Sequence, residues 1–329
     1  MKIVIIGYGG HYGSAVEACS KDPSLHLCGV APGFSGESCQ AIVKSCEKAG
    51  FEPPVFEDWN AMFGQVQPDI AVVCPQYHLT ASIATALLKQ GVHVFSEKPC
   101  ALNLPALAEL ETAVRQSQAQ YSAMLTYYYD PCFVLAKQLL DQGAIGEIRL
   151  AAAQKSYRFG SSRPAFYKDP ALYGGTLPWV GIHAFTWVHW FTGLAFEELY
   201  AQGSTLANRG YGQLDMTCTV TGRLKNQVLV NIGVDYLNTA SFPMHGDDRI
   251  RLAGTSGTLE ILKNEILLYT DQEARVIAAP AQKENIFAAF VRQIRTGEPM
   301  RFSAQDCFAI TRAALLAQQS REEGRPIRF

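Results

Sequence analysis

A buried strand that runs directly into a glycine-rich turn opens the chain, and this pair constrains the fold more than any other feature. Residues 3–6 are a continuous apolar run, as expected for a strand covered on both faces in a parallel sheet. Gly7, Gly9 and Gly10 follow, and residues 14–18 have a helical pattern. Glycines between a strand and a helix let backbone N–H groups approach a pyrophosphate, and the helix N-terminus favours its charge. The segment therefore predicts a dinucleotide-binding turn.

The spacing of this turn departs from the G-x-G-x-x-G pattern. Gly13 comes one residue later than the third glycine of the pattern, and Tyr12 occupies the expected position. A tight turn that binds no nucleotide is the alternative interpretation. We assign to the candidate cofactor site the residues Gly7, Gly9, Gly10, His11 and Tyr12.

The loop after the second predicted strand, residues 25–30, leaves the type of cofactor open. A dinucleotide-binding fold usually places an acid here for the adenosine ribose, or an arginine for a 2′-phosphate. Residues 31–35 contain neither, so we expect NAD or NADP without a choice between them. Ser35 is assigned to the cofactor site because its hydroxyl suits a ribose hydroxyl or a 2′-phosphate. Capping of a helix that follows through Cys46 is the alternative role.

The next segments repeat the alternation of buried strand and amphipathic helix. Strands are predicted over residues 69–74 and 91–96, with a helix between them that carries Leu79, Ile83 and Leu87 on one face. A helix beginning near Asn103 and a strand near 121–125 complete the series. This order predicts a doubly wound parallel sheet with right-handed crossovers.

The strand over residues 91–96 ends abruptly in Glu97, Lys98 and Pro99. In open parallel sheets, ligands bind beyond the carboxyl ends of the strands, so Lys98 is a candidate catalytic residue. A solvated Glu-Lys pair in a surface loop is the alternative, because charged residues are usually exposed.

The second half of the chain has a different pattern. Apolar and polar residues alternate over 214–221 and again over 228–234, which indicates an antiparallel sheet with one buried face. A helix is predicted over 286–294, and Ser303 with Asp306 resembles a capping box for the last helix. We predict an α/β protein with an N-terminal Rossmann-type domain, residues 1–124, and a C-terminal α+β domain with a large, mostly antiparallel sheet, residues 125–329. The last helix is a candidate for packing back on the first domain.

Composition narrows the class of protein. A chain of 329 residues fits two domains, and a net charge of −2 gives no general reason to bind nucleic acid or an anionic membrane. The nine cysteines lack metal-ligand spacing, so we expect no metal and a reducing compartment, the cytoplasm. No apolar run reaches the roughly 18 residues of a membrane span. The polar face of the predicted sheet suits a subunit interface, hence a homo-oligomer, either a dimer or a tetramer.

With these residues in place, the chain resembles the Gfo/Idh/MocA family of nicotinamide-dependent oxidoreductases, named for glucose-fructose oxidoreductase and inositol dehydrogenase. The resemblance covers almost the whole length and is most specific in two segments, Glu97-Lys98-Pro99 and Gly181-Ile182-His183. It implies an NAD(P)-dependent dehydrogenase or reductase that acts on a secondary alcohol or ketone of a sugar, polyol or cyclitol. The resemblance also adds to the cofactor site the residues Cys74, Pro75, His78, Glu97 and Lys98.

In such enzymes the lysine contacts the nicotinamide ribose and the reacting hydroxyl, and the histidine completes the substrate site. The resemblance therefore makes Lys98 and His183 the candidate catalytic residues. Family members commonly carry aspartates four residues before and three residues after the histidine, where this chain has Trp179 and Thr186. The identity of the proton acceptor, His183 or Lys98, consequently stays open.

Further substrate-site candidates are weaker. Trp179 is suited to stack on a sugar or cyclitol ring or to form a wall of the pocket, and Tyr128 lies where the family often has an arginine near the nicotinamide. Arg163 is our preferred candidate for substrate contact in the segment around 155–163. The weaker members of this set are Lys155, Tyr157, Arg158, Asp235, Tyr236 and His245.

Two other functions are compatible with these residues. One is a catalytically silent regulator that senses the nucleotide and a sugar, which the aspartate-to-tryptophan difference at position 179 motivates. The other is a redox-neutral, NAD-dependent lyase or glycosidase-like enzyme. Net reduction of the cofactor distinguishes the dehydrogenase from both.

Overall fold

The computed structural model describes residues 1–161, 163–281 and 283–329. The chain forms two compact units, one of residues 1–124 with 284–308 and one of residues 125–283 with 309–329. Residues 284–308 thus belong to the first unit, whereas the sequence assigned them to the second domain. The unit boundary falls inside the last helix. Assignment of cofactor and substrate functions to the two units stays a prediction.

The strands along the chain are β1 Lys2–Gly7, β2 His26–Ala31, β3 Ile70–Cys74, β4 His93–Ser96, β5 Tyr121–Ala123, β6 Ile148–Tyr157, β7 Phe196–Ser204, β8 Thr217–Leu224, β9 Leu229–Asp235, β10 Gly246–Gly254, β11 Gly257–Leu262, β12 Glu265–Thr270, β13 Ala274–Ala278 and β14 Ile327–Arg328. The α-helices are α1 Gly13–Lys21, α2 Gln40–Lys48, α3 Trp59–Val66, α4 Tyr77–Lys89, α5 Leu104–Gln116, α6 Pro131–Asp141, α7 Pro170–Tyr173, α8 Ile182–Thr192, α9 Ile286–Thr296 and α10 Ala304–Glu323.

The first unit contains a five-stranded parallel sheet in the order β2-β1-β3-β4-β5. Strands β1, β3 and β4 are buried along most of their length, which confirms the interpretation of the apolar runs as central strands. From β1, the chain adds β2 on one side of the sheet and β3, β4 and β5 on the other, so the direction in which strands are added changes between β1 and β3. In sheets of this type, ligands bind at that point beyond the carboxyl ends of the strands.

Local signals place the helices of the first unit. The side chain of Asn103 accepts a hydrogen bond from the Ala106 N–H at 2.9 Å and caps α5, and Ser303 and Asp306 form the predicted capping box at α10. Ser35 does not cap a helix, because α2 begins only at Gln40. That alternative was wrong, since the loop after β2 runs farther than the pattern of polar residues indicated.

The second unit contains a nine-stranded sheet in the order β13-β12-β11-β10-β6-β9-β8-β7-β14. Its pairs are mostly antiparallel, with β6 and β9 parallel. The apolar residues that alternate along β8 and β9 are buried, as the period of two predicted. Helix α8 lies against β6, β9 and the helical turn Leu177–Gly181 that precedes it. This arrangement brings strand β6 and the start of α8 together.

Membrane-spanning helices and clusters of metal-ligating side chains are both absent from the described ranges. None of the helices in them is long and apolar enough to cross a membrane. The same residues hold no group of three or more His, Cys, Asp or Glu side chains placed to bind a metal ion.

Candidate functional site

The glycine turn of the first unit is shaped by close backbone approach. Gly7 has a φ of +130°, and a Cβ atom there would lie 2.0 Å from the Cys74 carbonyl oxygen. The Tyr8 N–H donates to that oxygen at 3.1 Å, so the turn starts against the end of β3. A Cβ on Gly9, by contrast, would meet open space. The turn therefore keeps an uncovered backbone at α1, which suits the approach of a pyrophosphate.

Glu97 fastens the end of β4 to this turn. The His11 N–H donates to Glu97 Oε2 at 2.7 Å, and His11 Nδ1 lies 2.9 and 3.0 Å from the two carboxylate oxygens. The Lys98 N–H donates to Oε1 at 3.1 Å. At Gly10, a Cβ would lie 2.3 Å from Oε2, so the carboxylate occupies the space that the absent side chain leaves.

The neighbouring lysine is equally buried. Glu97 and Lys98 are 3% and 2% exposed, which rejects the solvated-pair alternative. Lys98 follows the end of β4, and its peptide bond to Pro99 is cis. A buried carboxylate with several donors and a buried lysine at a strand end are groups that a surface loop would leave in water.

Electrostatics agree with this geometry. Burial acts to raise the pKa of Glu97, but the charge of His11, its hydrogen bonds and Lys98 outweigh that effect and lower the pKa to about 2. The carboxylate is therefore ionised wherever the protein is folded near neutral pH.

A second buried carboxylate follows β2. Glu37 is 8% exposed, accepts from the Gly33 N–H at 2.6 Å and from the Gln76 N–H at 2.9 Å, and so ties the loop after β2 to the start of α4. Burial raises the pKa of Glu37, and the two backbone hydrogen bonds oppose that rise. Sequence reasoning missed Glu37, because it stopped two residues earlier. A search of the whole loop for an acid would have found it.

The remaining predicted cofactor residues surround the same turn. Cys74 and Pro75 are buried at the end of β3, and His78 lies half-buried in the first turn of α4. Tyr12 precedes α1 and its hydroxyl donates to the Ala41 carbonyl at 3.1 Å. Ser35 is exposed in the loop after β2. The first unit thus gathers at one sheet edge the backbone donors, the lysine and the acid that a dinucleotide site uses.

His183 lies in the first turn of α8 and is 2% exposed. Its Nε2 and the Tyr157 hydroxyl are 3.3 Å apart, within hydrogen-bonding distance, and its ring meets that of Tyr127 edge-on at 5.2 Å. Thr186, at one of the positions where an aspartate was expected, donates its hydroxyl to the Ile182 carbonyl at 2.7 Å. The Thr186 hydroxyl therefore forms a hydrogen bond within its own helix.

A buried charged cluster lies behind Tyr157. Lys155 Nζ donates to Asp248 Oδ1 at 2.6 Å and to the Tyr127 hydroxyl at 2.7 Å, and the Tyr127 hydroxyl in turn donates to Asp248. The ammonium also lies 4.4 Å from the centre of the Tyr157 ring. Burial lowers the pKa of Lys155, and Asp248 acts in the opposite direction. The sequence analysis placed Tyr127 in one run with Tyr128 and Tyr129 and chose Tyr128 from it. It missed Asp248, since no local pattern pairs this residue with Lys155.

The other predicted substrate residues are aromatic or lie among aromatic rings. Trp179 is half-buried, 6.0 Å from the Tyr157 ring and 5.5 Å from the Tyr167 ring. Arg163 donates to the carbonyls of residues 158 and 159, and its guanidinium lies 4.3 Å from the Tyr236 ring. Part of the hydrogen-bonding capacity of the arginine is therefore used within its own loop, so fewer of its N–H groups remain for a ligand.

Tyr128 is 2% exposed and packs against Trp190 at a ring distance of 4.5 Å. Its neighbour Tyr127, rather than Tyr128, adjoins His183. Assignment of Tyr128, Arg163 and Trp179 to substrate contact remains a prediction.

Comparison with known proteins shows the family to which the chain belongs. Residues 1–125 match the oxidoreductase family with an NAD-binding Rossmann fold, and residues 133–260 match the GFO/IDH/MocA C-terminal domain. A solved structure of a proposed oxidoreductase from Thermotoga maritima is 35% identical, with a TM-score of 0.96 and full coverage of both chains. The chain belongs to the Gfo/Idh/MocA family of NAD-binding oxidoreductases, as its sequence motifs indicated.

Two further proteins are similar to this chain along most of its length. Myo-inositol 2-dehydrogenase of Thermotoga maritima is 24% identical over 304 residues, which is 86% of each chain. A levoglucosan dehydrogenase solved in complex with NADH and L-sorbose shares the fold at 18% identity, with a TM-score of 0.84, and covers 100% of this chain and 98% of its own. The residues around the glycine turn fit a dinucleotide, because the uncovered backbone at Gly9 leaves room for it.

We predict that Glu97 makes stability depend on pH in the acid range. Its pKa of about 2 in the folded protein lies below its ordinary value of 4.5, so its stabilisation is present above pH 4.5 and is lost as the pH falls toward 2. By linkage, between pH 5 and pH 3 the wild type should lose roughly 2 kcal/mol of unfolding free energy that Glu97→Gln does not lose. Urea unfolding at each pH measures this difference.

The matched control is Glu57→Gln, which changes an exposed carboxylate in the same unit. Its pH dependence should follow that of the wild type. If Glu97→Gln and the wild type lost equal amounts of unfolding free energy between pH 5 and pH 3, that result would contradict a depressed pKa at Glu97.

Proposed function

We propose that this oxidoreductase transfers a hydride between NAD and a secondary alcohol or ketone of a sugar, polyol or cyclitol, with Lys98 and His183 as its catalytic residues. The observation that carries the proposal is the attachment of Glu97, and with it the buried Lys98, to the glycine turn. A buried lysine beside a pyrophosphate-binding turn is suited to contact a cofactor and a polar substrate. The names of the relatives, myo-inositol 2-dehydrogenase and levoglucosan dehydrogenase, support the substrate class.

Bound NAD would supply the hydride acceptor, and this chain's residues would hold it and manage the proton. The turn from Gly7 to Tyr12 provides backbone donors for the pyrophosphate, and Lys98 provides a positive charge that favours negative charge on the reacting oxygen. An imidazole such as His183 can accept a proton near neutral pH. Removal of the hydroxyl proton and of the hydride then converts the alcohol to a ketone.

We predict that Lys98→Met retains cofactor binding but loses turnover. The change removes the charge while keeping most of the side-chain volume, so the buried site should stay filled. We expect kcat to fall roughly 10²-fold or more, while the Kd for NADH, measured by fluorescence titration, rises far less, because the glycine turn still binds the pyrophosphate. The assay is NADH formation with myo-inositol and with levoglucosan.

Lys89→Met, at the exposed end of α4, is the matched control and should behave as the wild type. A wild type that binds neither NAD(H) nor NADP(H) would contradict the function itself. Binding without one equivalent of NADH per substrate consumed would instead favour the redox-neutral enzyme or the silent regulator.

We also propose that the protein prefers NAD to NADP because of Glu37. In dinucleotide-binding folds the adenosine ribose lies near the end of the second strand, and Glu37 is a buried acid in the loop that follows it. A carboxylate there can accept from a ribose hydroxyl and repels a 2′-phosphate. Ser35, in the same loop, is the candidate for a further hydrogen bond.

We therefore predict that the wild type binds NADH at least tenfold more tightly than NADPH and that Glu37→Gln narrows this ratio severalfold. Parallel fluorescence titrations with the two cofactors measure the ratio. Glu47→Gln, an exposed change on α2, is the control. If Glu37→Gln leaves the ratio of the two Kd values unchanged, a residue other than Glu37 discriminates between NADH and NADPH.

We infer, in addition, that the chain forms a homo-oligomer through the second unit's sheet, since Leu229 and Val276 leave apolar side chains 55% and 65% exposed. Light scattering after size-exclusion chromatography should give a molar mass that is a multiple of 36.1 kDa. The substitution Leu229→Glu should lower that mass. Leu206→Glu, at a loop residue that is 82% exposed, is the control. A mass of one chain for the wild type would refute the oligomer.

The nine free cysteines suit a reducing compartment such as the cytoplasm, which cell fractionation can check.

A further inference from the structure

The family's aspartate four residues before the histidine is absent here, and the second unit offers a different partner. Trp179 occupies that position and has no carboxylate, while Thr186 bonds its own helix. The polar atom placed at His183 Nε2 is the Tyr157 hydroxyl, at 3.3 Å. This partner comes from strand β6, 26 residues before the histidine.

Accessibility favours Tyr157 as the group that meets a ligand. His183 is 2% exposed, whereas Tyr157 is half-buried at the end of β6. Of the two side chains, Tyr157 is therefore the more accessible to a ligand. Catalytic hydrogen bonds are often long without substrate, so a separation of 3.3 Å is compatible with proton transfer.

The charged cluster behind the ring supports the same role. Lys155 lies 4.4 Å from the centre of the Tyr157 ring and is fixed by Asp248 and by the Tyr127 hydroxyl. A cation held at this distance in a buried site stabilises negative charge that develops on the phenol oxygen. Because Lys155 is itself held on two sides, it acts on Tyr157 without having to move.

We propose that Tyr157 relays the substrate's hydroxyl proton to His183 in this enzyme, with Lys155 as a positioning residue. The inference rests on the proposed dehydrogenase function. In the oxidation direction the substrate O–H bond breaks and its proton passes to the Tyr157 oxygen, while the Tyr157 proton passes to His183 Nε2. The carbinol C–H bond breaks at the same time, and its hydride leaves with both electrons to the nicotinamide. The substrate becomes a ketone, bound NAD⁺ would take up the hydride, and His183 carries the proton until it is released to water.

Several charged and titratable groups in the described part of the chain face this pair. Tyr157 has Lys155 on its own strand, His183 on α8 and His245 in a loop, whose ring is 5.1 Å away. His183 faces Tyr127 as well, and Asp248 on β10 faces Lys155. A pH profile assigned to His183 must therefore be separated from His245.

The test compares Tyr157→Phe, His183→Asn and the double variant with the wild type. Tyr157→Phe removes one oxygen atom, and we expect kcat to fall roughly 10²-fold or more with the Kd for NADH unchanged within twofold. Because the two residues act as one relay, the double variant should lose hardly more than His183→Asn alone. The control Tyr269→Phe, on β12 with a 47% exposed ring, should match the wild type.

Imidazole ¹⁵N spectra add a measurement that needs no turnover. The His183 signal is identified by its loss in His183→Asn, and His245→Asn identifies the second histidine. We expect Tyr157→Phe to shift the pH titration of His183 and to change that of His245 less. A selective shift would show that the Tyr157 hydroxyl bonds the His183 imidazole in solution, and the kcat of Tyr157→Phe then shows whether turnover depends on that bond.

The outcomes separate the relay from the function on which it rests. A wild type that oxidises myo-inositol or levoglucosan, with Tyr157→Phe within threefold of it, would overturn the relay and leave the dehydrogenase standing. The relay would also be overturned if the double variant lost the product of the two single-variant losses in kcat. A titration of His183 that Tyr157→Phe leaves unshifted would overturn it as well. Failure of the wild type to bind NADH would instead reject the function, which the cofactor titration reports independently.

Discussion

The site in the first unit depends on one buried carboxylate, Glu97, which is held by the glycine turn. Burial of an ionised group is costly unless donors surround it, and here they come from the His11 backbone, the His11 ring and the Lys98 backbone. Two segments 86 residues apart along the chain are thereby fixed to one another. The position of Lys98 at the end of β4 follows from this attachment, because Glu97 precedes it directly.

This interaction also constrains the sequence of the turn. Helix α1 begins at Gly13, and His11, two residues before it, donates its backbone N–H to the Glu97 carboxylate. Gly10 cannot carry a side chain, since its Cβ would lie 2.3 Å from Glu97 Oε2. The folded turn thus requires glycine at a position that the G-x-G-x-x-G pattern leaves open.

Local patterns predicted most of the fold, and they failed where a contact is non-local. Buried runs identified the parallel strands, alternation identified β8 and β9, and the caps at Asn103 and Ser303 were readable because each involves neighbours in sequence. The partner of Glu37 at Gln76 lies 39 residues away, so its inward orientation had no local signal. Membership of α9 in the first unit depends on the packing of Phe287 against Phe95, at 5.2 Å, which is likewise long-range.

The second unit raises the question of why a charged cluster lies beside His183. The period of two along β6 places Lys155 and Tyr157 on the same face, but it cannot name Asp248 or α8 as their neighbours. A buried ion pair is weak support for stability, because well-packed apolar residues of similar volume often stabilise a fold as well or better. Burial of Lys155 is therefore poorly explained by folding alone. An ammonium fixed 4.4 Å from the ring of a half-buried tyrosine, which itself reaches the site histidine, is better explained by the proposed stabilisation of negative charge on the oxygen of that tyrosine.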